Sequence, residues 1–169
     1  MTFAARTLIG EGFAGSGQNA AHLNTVLGRK GGPVETAWTT ALATPRAAHV
    51  PFVVVLRPNM PVKPLTLFVN KAGVEGDQHA SLTWGAAQAG VARGVLDTVA
   101  DGIIPASEVD ELLLIAAVWV DWAADDEEAV YENNLQGTRA ALASAAEGRP
   151  ALEDVLGLRA DPQNPFFRR

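Results

Sequence analysis

The sequence predicts an α+β fold, and three observations carry that prediction. Short apolar runs of strand character outnumber long helical ones, the two kinds of segment do not alternate strictly as in a crossover-wound parallel sheet, and no internal repeat is present. At 169 residues and 48% hydrophobic, the chain is long enough to bury one real core, which makes a single domain the default. The boundaries are residues 1–157 for that domain and 158–169 for a C-terminal tail.

Residues 2–8 and 21–27 read as two strands separated by the glycine-rich stretch GEGFAGSG, whose glycines suit a turn between paired strands. In the second, Leu23, Thr25 and Leu27 alternate with His22, Asn24 and Val26, so a period of two sends the two sets to opposite faces. His22 and Asn24 therefore share a face, roughly 7 Å apart along the strand. After Gly31, Gly32 and Pro33, residues 34–43 carry Ala37, Trp38, Ala41 and Leu42 at helical spacing. Residues 50–56 form an apolar, β-branched run that ends in the proline-rich loop RPNMPVKP, and residues 65–70 read as the next strand. From residue 76 to 101 the apolar spacing is helical, with Gly102 as a stop; Gly85, Gly90 and Gly94 weaken this helix or mark a close approach. Residues 107–111 suggest a helical turn, and 112–122 a buried strand. Residues 125–146 are the clearest helix, with acidic groups at the positive dipole end and Gly148 and Pro150 beyond its last turn.

The charge balance excludes some classes of function. A net charge of −6 and a pI near 5.0 give no general attraction for a phosphate backbone, so nucleic acid is not an expected partner. Without cysteine there is no disulfide framework, thiolate nucleophile or Cys-ligated metal, and a reducing cytoplasm fits. The start MTFAARTLIGEGF lacks the pattern of a signal peptide, and the longest apolar run, residues 112–120, is about half of what a membrane helix needs. We expect a soluble cytoplasmic protein with no membrane partner.

Three histidines carry most of the chemical interest. His49 precedes a strand and His79 opens a helical region, neither with a partner at metal-ligand spacing, so no metal site is expected. His22 stands mid-strand beside the polar Asn24; on these residues alone a structural histidine is still the simpler account. Lys71 emerges where the strand LTLFVN meets a loop, a common place for a functional side chain and also for a solvated one. Gln88, among small residues in WGAAQAG, suits either a close ligand or tight helix packing. The acidic run DWAADDEEA is explained by its helix start, and no GxxxxGK[ST] or GxSxG motif supports phosphate binding or hydrolysis.

Taken in order, GEGFAGSGQNAAHLNTVLG, GPVETAW, VLRPNMPVKPLTLFVNK, WGAAQAGVARGV, DGIIPASEVDELL and VWVDWAADD resemble the formaldehyde-activating enzymes over most of the chain. The resemblance implies a fold like the second domain of ribosomal protein S5, a cytoplasmic homopentamer and active sites between subunits. It implies condensation of formaldehyde with tetrahydromethanopterin to methylenetetrahydromethanopterin and water, a reaction of methylotrophy and formaldehyde detoxification. No cofactor is bound in that chemistry, the pterin being a co-substrate. His22 takes the family's catalytic, proton-donating position; Asn24, Val53, Lys71 and Gln88 take substrate-binding positions. Two of these positions, and one further position two residues after Lys71, depart from the pattern. Asn24 stands where the family keeps an aspartate, Val53 replaces a leucine, and Gly73 stands for a threonine. A carboxylate 4 Å from a cation at an effective dielectric of 20 contributes up to ~4 kcal/mol, and losing half of that slows a step roughly thirtyfold. The residues thus leave open a weakened paralogue that binds or senses a pterin or other one-carbon compound, or one that uses a different amine acceptor.

Overall fold

The computed structural model describes residue 3 and residues 6–164. The strands are β1 (Leu8–Ala14), β2 (Ala21–Arg29), β3 (Phe52–Val53), β4 (Val55–Arg57), β5 (Met60–Pro61), β6 (Leu65–Asn70) and β7 (Leu112–Trp119). The helices are α1 (Pro33–Ala43), α2 (Gly76–Ser81), α3 (Gln88–Ala100), α4 (Glu127–Glu147) and α5 (Leu152–Gly157). One mixed sheet runs β1-β2-β7-β6-β3, parallel only between β6 and β7, while β4 and β5 pair separately. This is an α+β domain. Among the described residues no helix is long and apolar enough to cross a membrane.

The alternation read in β2 sets the two layers. Leu23 and Leu27 are buried against α4 and the core beneath it, while Val26 belongs to a second cluster built on Val34, Trp38, Leu67 and Leu113. That second cluster is the underside of α1, and Trp38 Nε1 donates to the Leu114 carbonyl at 3.1 Å. Helix α4 lies along β1 and β2 on the other face and packs against α3. Its start is capped by Asp126, whose side chain accepts from the Ala129 N–H, with Glu127 and Glu128 in the first turn. The acidic run is therefore a helix cap, as its composition suggested.

The N-terminal strand lies elsewhere than the sequence predicts. Part of residues 2–8 falls outside the described residues, and the strand that forms is Leu8–Ala14, which starts at the last of them and runs into the stretch expected to turn. The reason is packing. A Cβ at Gly10 would lie 2.0 Å from the Ala141 carbonyl oxygen, and one at Gly12 2.0 Å from that of Gly137. The glycines let the backbone of α4 rest directly on the strand, and the turn is left to Gly15 and Gly17 at positive φ. Gly90 and Gly94 serve the same purpose between α3 and α4, whereas a Cβ at Gly85 would meet nothing.

Other boundaries shift less. The run 50–56 is divided between β3 and β4, and the helix over 76–101 contains a π-helical segment, Leu82–Ala87, between α2 and α3. The strand expected over 112–122 ends at Trp119, and the turn near 107–111 is a 3₁₀ turn at Ala106–Glu108. The C-terminal segment carries α5, whose Leu152, Val155 and Leu156 are exposed. The aromatic pair expected to pack from the tail, Phe166 and Phe167, lies outside the described residues.

Candidate functional site

Helix α1 covers only part of its sheet face. At the uncovered end, strand register brings polar side chains together: Glu11 on β1 is opposite Asn24, Phe13 is opposite His22, and His22 is in turn opposite Trp119 on β7. Residues paired this way project from the same side of the sheet. His22 Nε2 lies 3.1 Å from Glu11 Oε1, with side chains 34% and 61% exposed, so solvent and a ligand reach both. The Phe13 ring stands 6.2 Å from that of His22, tilted by 50°.

Lys71 enters from the end of β6. Its N–H donates to the Val118 carbonyl at 2.7 Å, which prolongs the parallel pairing by one residue and aims the side chain along the same face. The ammonium donates to Asn24 Oδ1 at 3.0 Å. Burial pushes the Lys71 ammonium below its ordinary value, and the nearby Glu11 carboxylate works against that shift. His22, Asn24, Lys71 and Glu11 thus form one polar cluster on an open sheet surface.

Val53 and Gln88 do not join it. Val53 is half-buried on the α1 side, paired with Leu67 at the far edge, three strands from β2, or about 14 Å at the usual spacing. Gln88 begins α3 on the opposite face, where its side-chain oxygen accepts from the Val55 N–H at 2.7 Å. It lines an apolar cavity of about 490 Å³ with Val50, Phe52, Val55 and Trp84. The π-helical segment just before α3 presents Trp84 there, 45% exposed. At Gly73, where the resemblance expects threonine, a Cβ would find ordinary contacts at 3.4 Å from Ala48 and 3.6 Å from His49, so the backbone has room for a side chain.

The remaining histidines are accounted for locally. His79 is buried, its Nδ1 accepting from the Glu75 N–H at 3.2 Å and its Nε2 facing the Val120 carbonyl at 3.1 Å. His49 is exposed and lies 3.3 Å from the Ala47 carbonyl. Among the described residues no group of three or more His, Asp or Glu is arranged to hold a metal. Sequence reasoning missed Glu11, Phe13 and Trp84. The available signal for the first two was the odd-numbered alternation Ile9, Glu11, Phe13 within the glycine stretch.

The family model for the formaldehyde-activating enzyme matches residues 9–167, a span containing both the His22 cluster and the Gln88 cavity. The chain belongs to the formaldehyde-activating enzyme family. Its relatives include a protein of Methanosarcina barkeri named 5,6,7,8-tetrahydromethanopterin hydro-lyase, 42% identical over 95% of this chain and 90% of that protein. Two proteins named bifunctional enzyme Fae/Hps, from Methanosarcina mazei and Methanococcoides burtonii, are 38% and 40% identical over 88% of this chain. The chain spans 38% of the length of each of those two longer proteins. Across these relatives, membership of the formaldehyde-activating enzyme family rests on nearly the whole chain.

Proposed function

We propose that this protein is a hydro-lyase of the formaldehyde-activating type, condensing formaldehyde with tetrahydromethanopterin to methylenetetrahydromethanopterin and water. The observation that carries the reading is His22, partly exposed, 3.1 Å from the Glu11 carboxylate and beside the linked Asn24 and Lys71, in a chain 42% identical to a named tetrahydromethanopterin hydro-lyase.

The chemistry asks for one proton at one moment. A pterin nitrogen adds to the carbonyl carbon of formaldehyde, giving a hydroxymethyl group. His22 protonates its oxygen, the C–O bond breaks with its electron pair on oxygen, and water leaves an iminium. The second pterin nitrogen attacks that carbon and gives its proton back to the imidazole, so the histidine ends as it began. An imidazole with a reference pKa of ~6.5 both holds and recovers a proton near neutral pH. Lys71 and Asn24 orient the pterin, and no metal or redox cofactor enters any step.

Val53 and Gln88 belong to the same site in this reading, reached from a neighbouring subunit. Their separation from His22 within one chain supports active sites closed between subunits, with the homopentamer implied by the family. The mixed sheet with helices on both faces is compatible with the fold of the second domain of ribosomal protein S5. We place the reaction in cytoplasmic one-carbon metabolism, where it serves methylotrophy and removes free formaldehyde. Asn24 favours a second reading, a paralogue that holds the pterin without useful turnover. Condensation followed with purified protein separates the two: acceleration beyond the spontaneous rate, abolished by His22→Ala, supports the enzyme, while tight calorimetric binding without acceleration supports the paralogue.

A further inference from the structure

We infer that Glu11 is a positioning residue for the proton transfer, supplying at His22 the carboxylate that position 24 lacks. The inference rests on His22 being the acid. Its structural basis begins with the glycines on either side. Gly10 and Gly12 are pressed onto the backbone of α4, where a Cβ would lie 2.0 Å from a carbonyl oxygen, so residue 11 must face the opposite side of the sheet. The register places it across from Asn24 and diagonal to His22, a separation that a long side chain spans. Glu11 Oε1 reaches His22 Nε2 at 3.1 Å. Asn24 is turned away toward Lys71, to which it offers its amide oxygen. Phe13 stands beside the imidazole, its ring centroid 6.2 Å away.

The arrangement divides the work between the two ring nitrogens. Nε2 keeps its proton on Glu11, which leaves Nδ1 as the nitrogen that exchanges a proton with the substrate. In the imidazolium, Nδ1–H passes its proton to the hydroxymethyl oxygen as water departs. The neutral ring that remains still holds Nε2–H against the carboxylate, ready to take back the proton released on ring closure. Glu11 stays ionised throughout; it stabilises the cation before transfer and fixes which nitrogen is free afterwards.

The test compares wild type, Glu11→Gln, Glu11→Ala and His22→Ala in the condensation assay, with formaldehyde and tetrahydromethanopterin varied separately. Glu11 is 61% exposed, so its replacement removes no core packing. For Glu11→Gln, kcat is expected to fall about fivefold, the loss of a solvent-exposed charge pair, with KM for the pterin little changed. Added formate is expected to restore part of the Glu11→Ala rate by supplying a carboxylate, and to do nothing for His22→Ala. A Glu11→Gln enzyme with wild-type kcat, or a Glu11→Ala defect that formate leaves untouched, overturns the role of Glu11 while leaving His22 as the acid. A wild type no faster than the spontaneous reaction removes the reading of the site and this inference with it.

Discussion

Lys71 is under two opposed influences: burial pushes its ammonium below its ordinary value, and Glu11 pulls the other way. The net lowering means that the folded chain binds fewer protons than the unfolded one between the depressed and ordinary values. The charged form therefore costs stability at neutral pH, and stability recovers as pH rises through that window. Lys71→Met is accordingly expected to leave the thermal midpoint at pH 7 unchanged or raised, while KM for the pterin rises about tenfold, the loss of one charge-assisted hydrogen bond; calorimetry and steady-state kinetics check the two halves. Asn24→Asp is expected to change kcat by less than about threefold, because the carboxylate that His22 needs is already present on Glu11. A rise near thirtyfold in the same assay would instead locate a defect at position 24. His22, Asn24 and Lys71 were legible as neighbours because strand alternation and a strand end are written in the local sequence. Glu11 was not, since a glutamate between two glycines reads the same in a turn as in a strand.

Elements were harder to bound where glycine serves packing. In GEGFAGSG, Gly10 and Gly12 admit the backbone of α4, and only Gly15 and Gly17 turn the chain at positive φ. That distinction depends on a helix more than a hundred residues away, which no local pattern reports. Gly12→Ala is expected to cost about 3 kcal/mol through overpacking and to lower the thermal midpoint by roughly 10 °C. Gly85→Ala, in a helical segment where a Cβ meets nothing, is expected to be neutral or stabilising by up to about 1 kcal/mol. The long helical reading over 76–101 was right in extent and blind to the π-helical segment, because apolar spacing alone does not reveal one widened turn. Beyond that segment Gln88 closes the Val55 N–H, so Gln88→Ala is expected to cost about 1 kcal/mol from the loss of a part-buried hydrogen bond, apart from any effect on binding.

For the whole molecule, the candidate residues fall in two places. His22 and Lys71 lie on an open sheet face, and Gln88 lines an apolar cavity on the other side of the sheet. The proposed site shared between subunits would reconcile them, and it has a direct consequence. Mixed oligomers of His22→Ala and Gln88→Ala are expected to regain activity that neither variant has alone, because some interfaces then combine an intact His22 cluster with an intact cavity. Sedimentation should give an assembly of five 17.7 kDa chains; a monomer at assay concentrations would exclude a shared site. Fold class and family were legible over most of the length, because both are spread over many residues. The proposed assembly was not legible, since a surface that would bury itself against a copy carries no periodic mark. The central claim is that His22 promotes water loss in the condensation of formaldehyde with tetrahydromethanopterin, and the rate of methylenetetrahydromethanopterin formation tests it most directly. Wild type is expected to exceed the spontaneous rate and His22→Ala to fall back to it; a wild-type rate equal to the spontaneous one would contradict the claim.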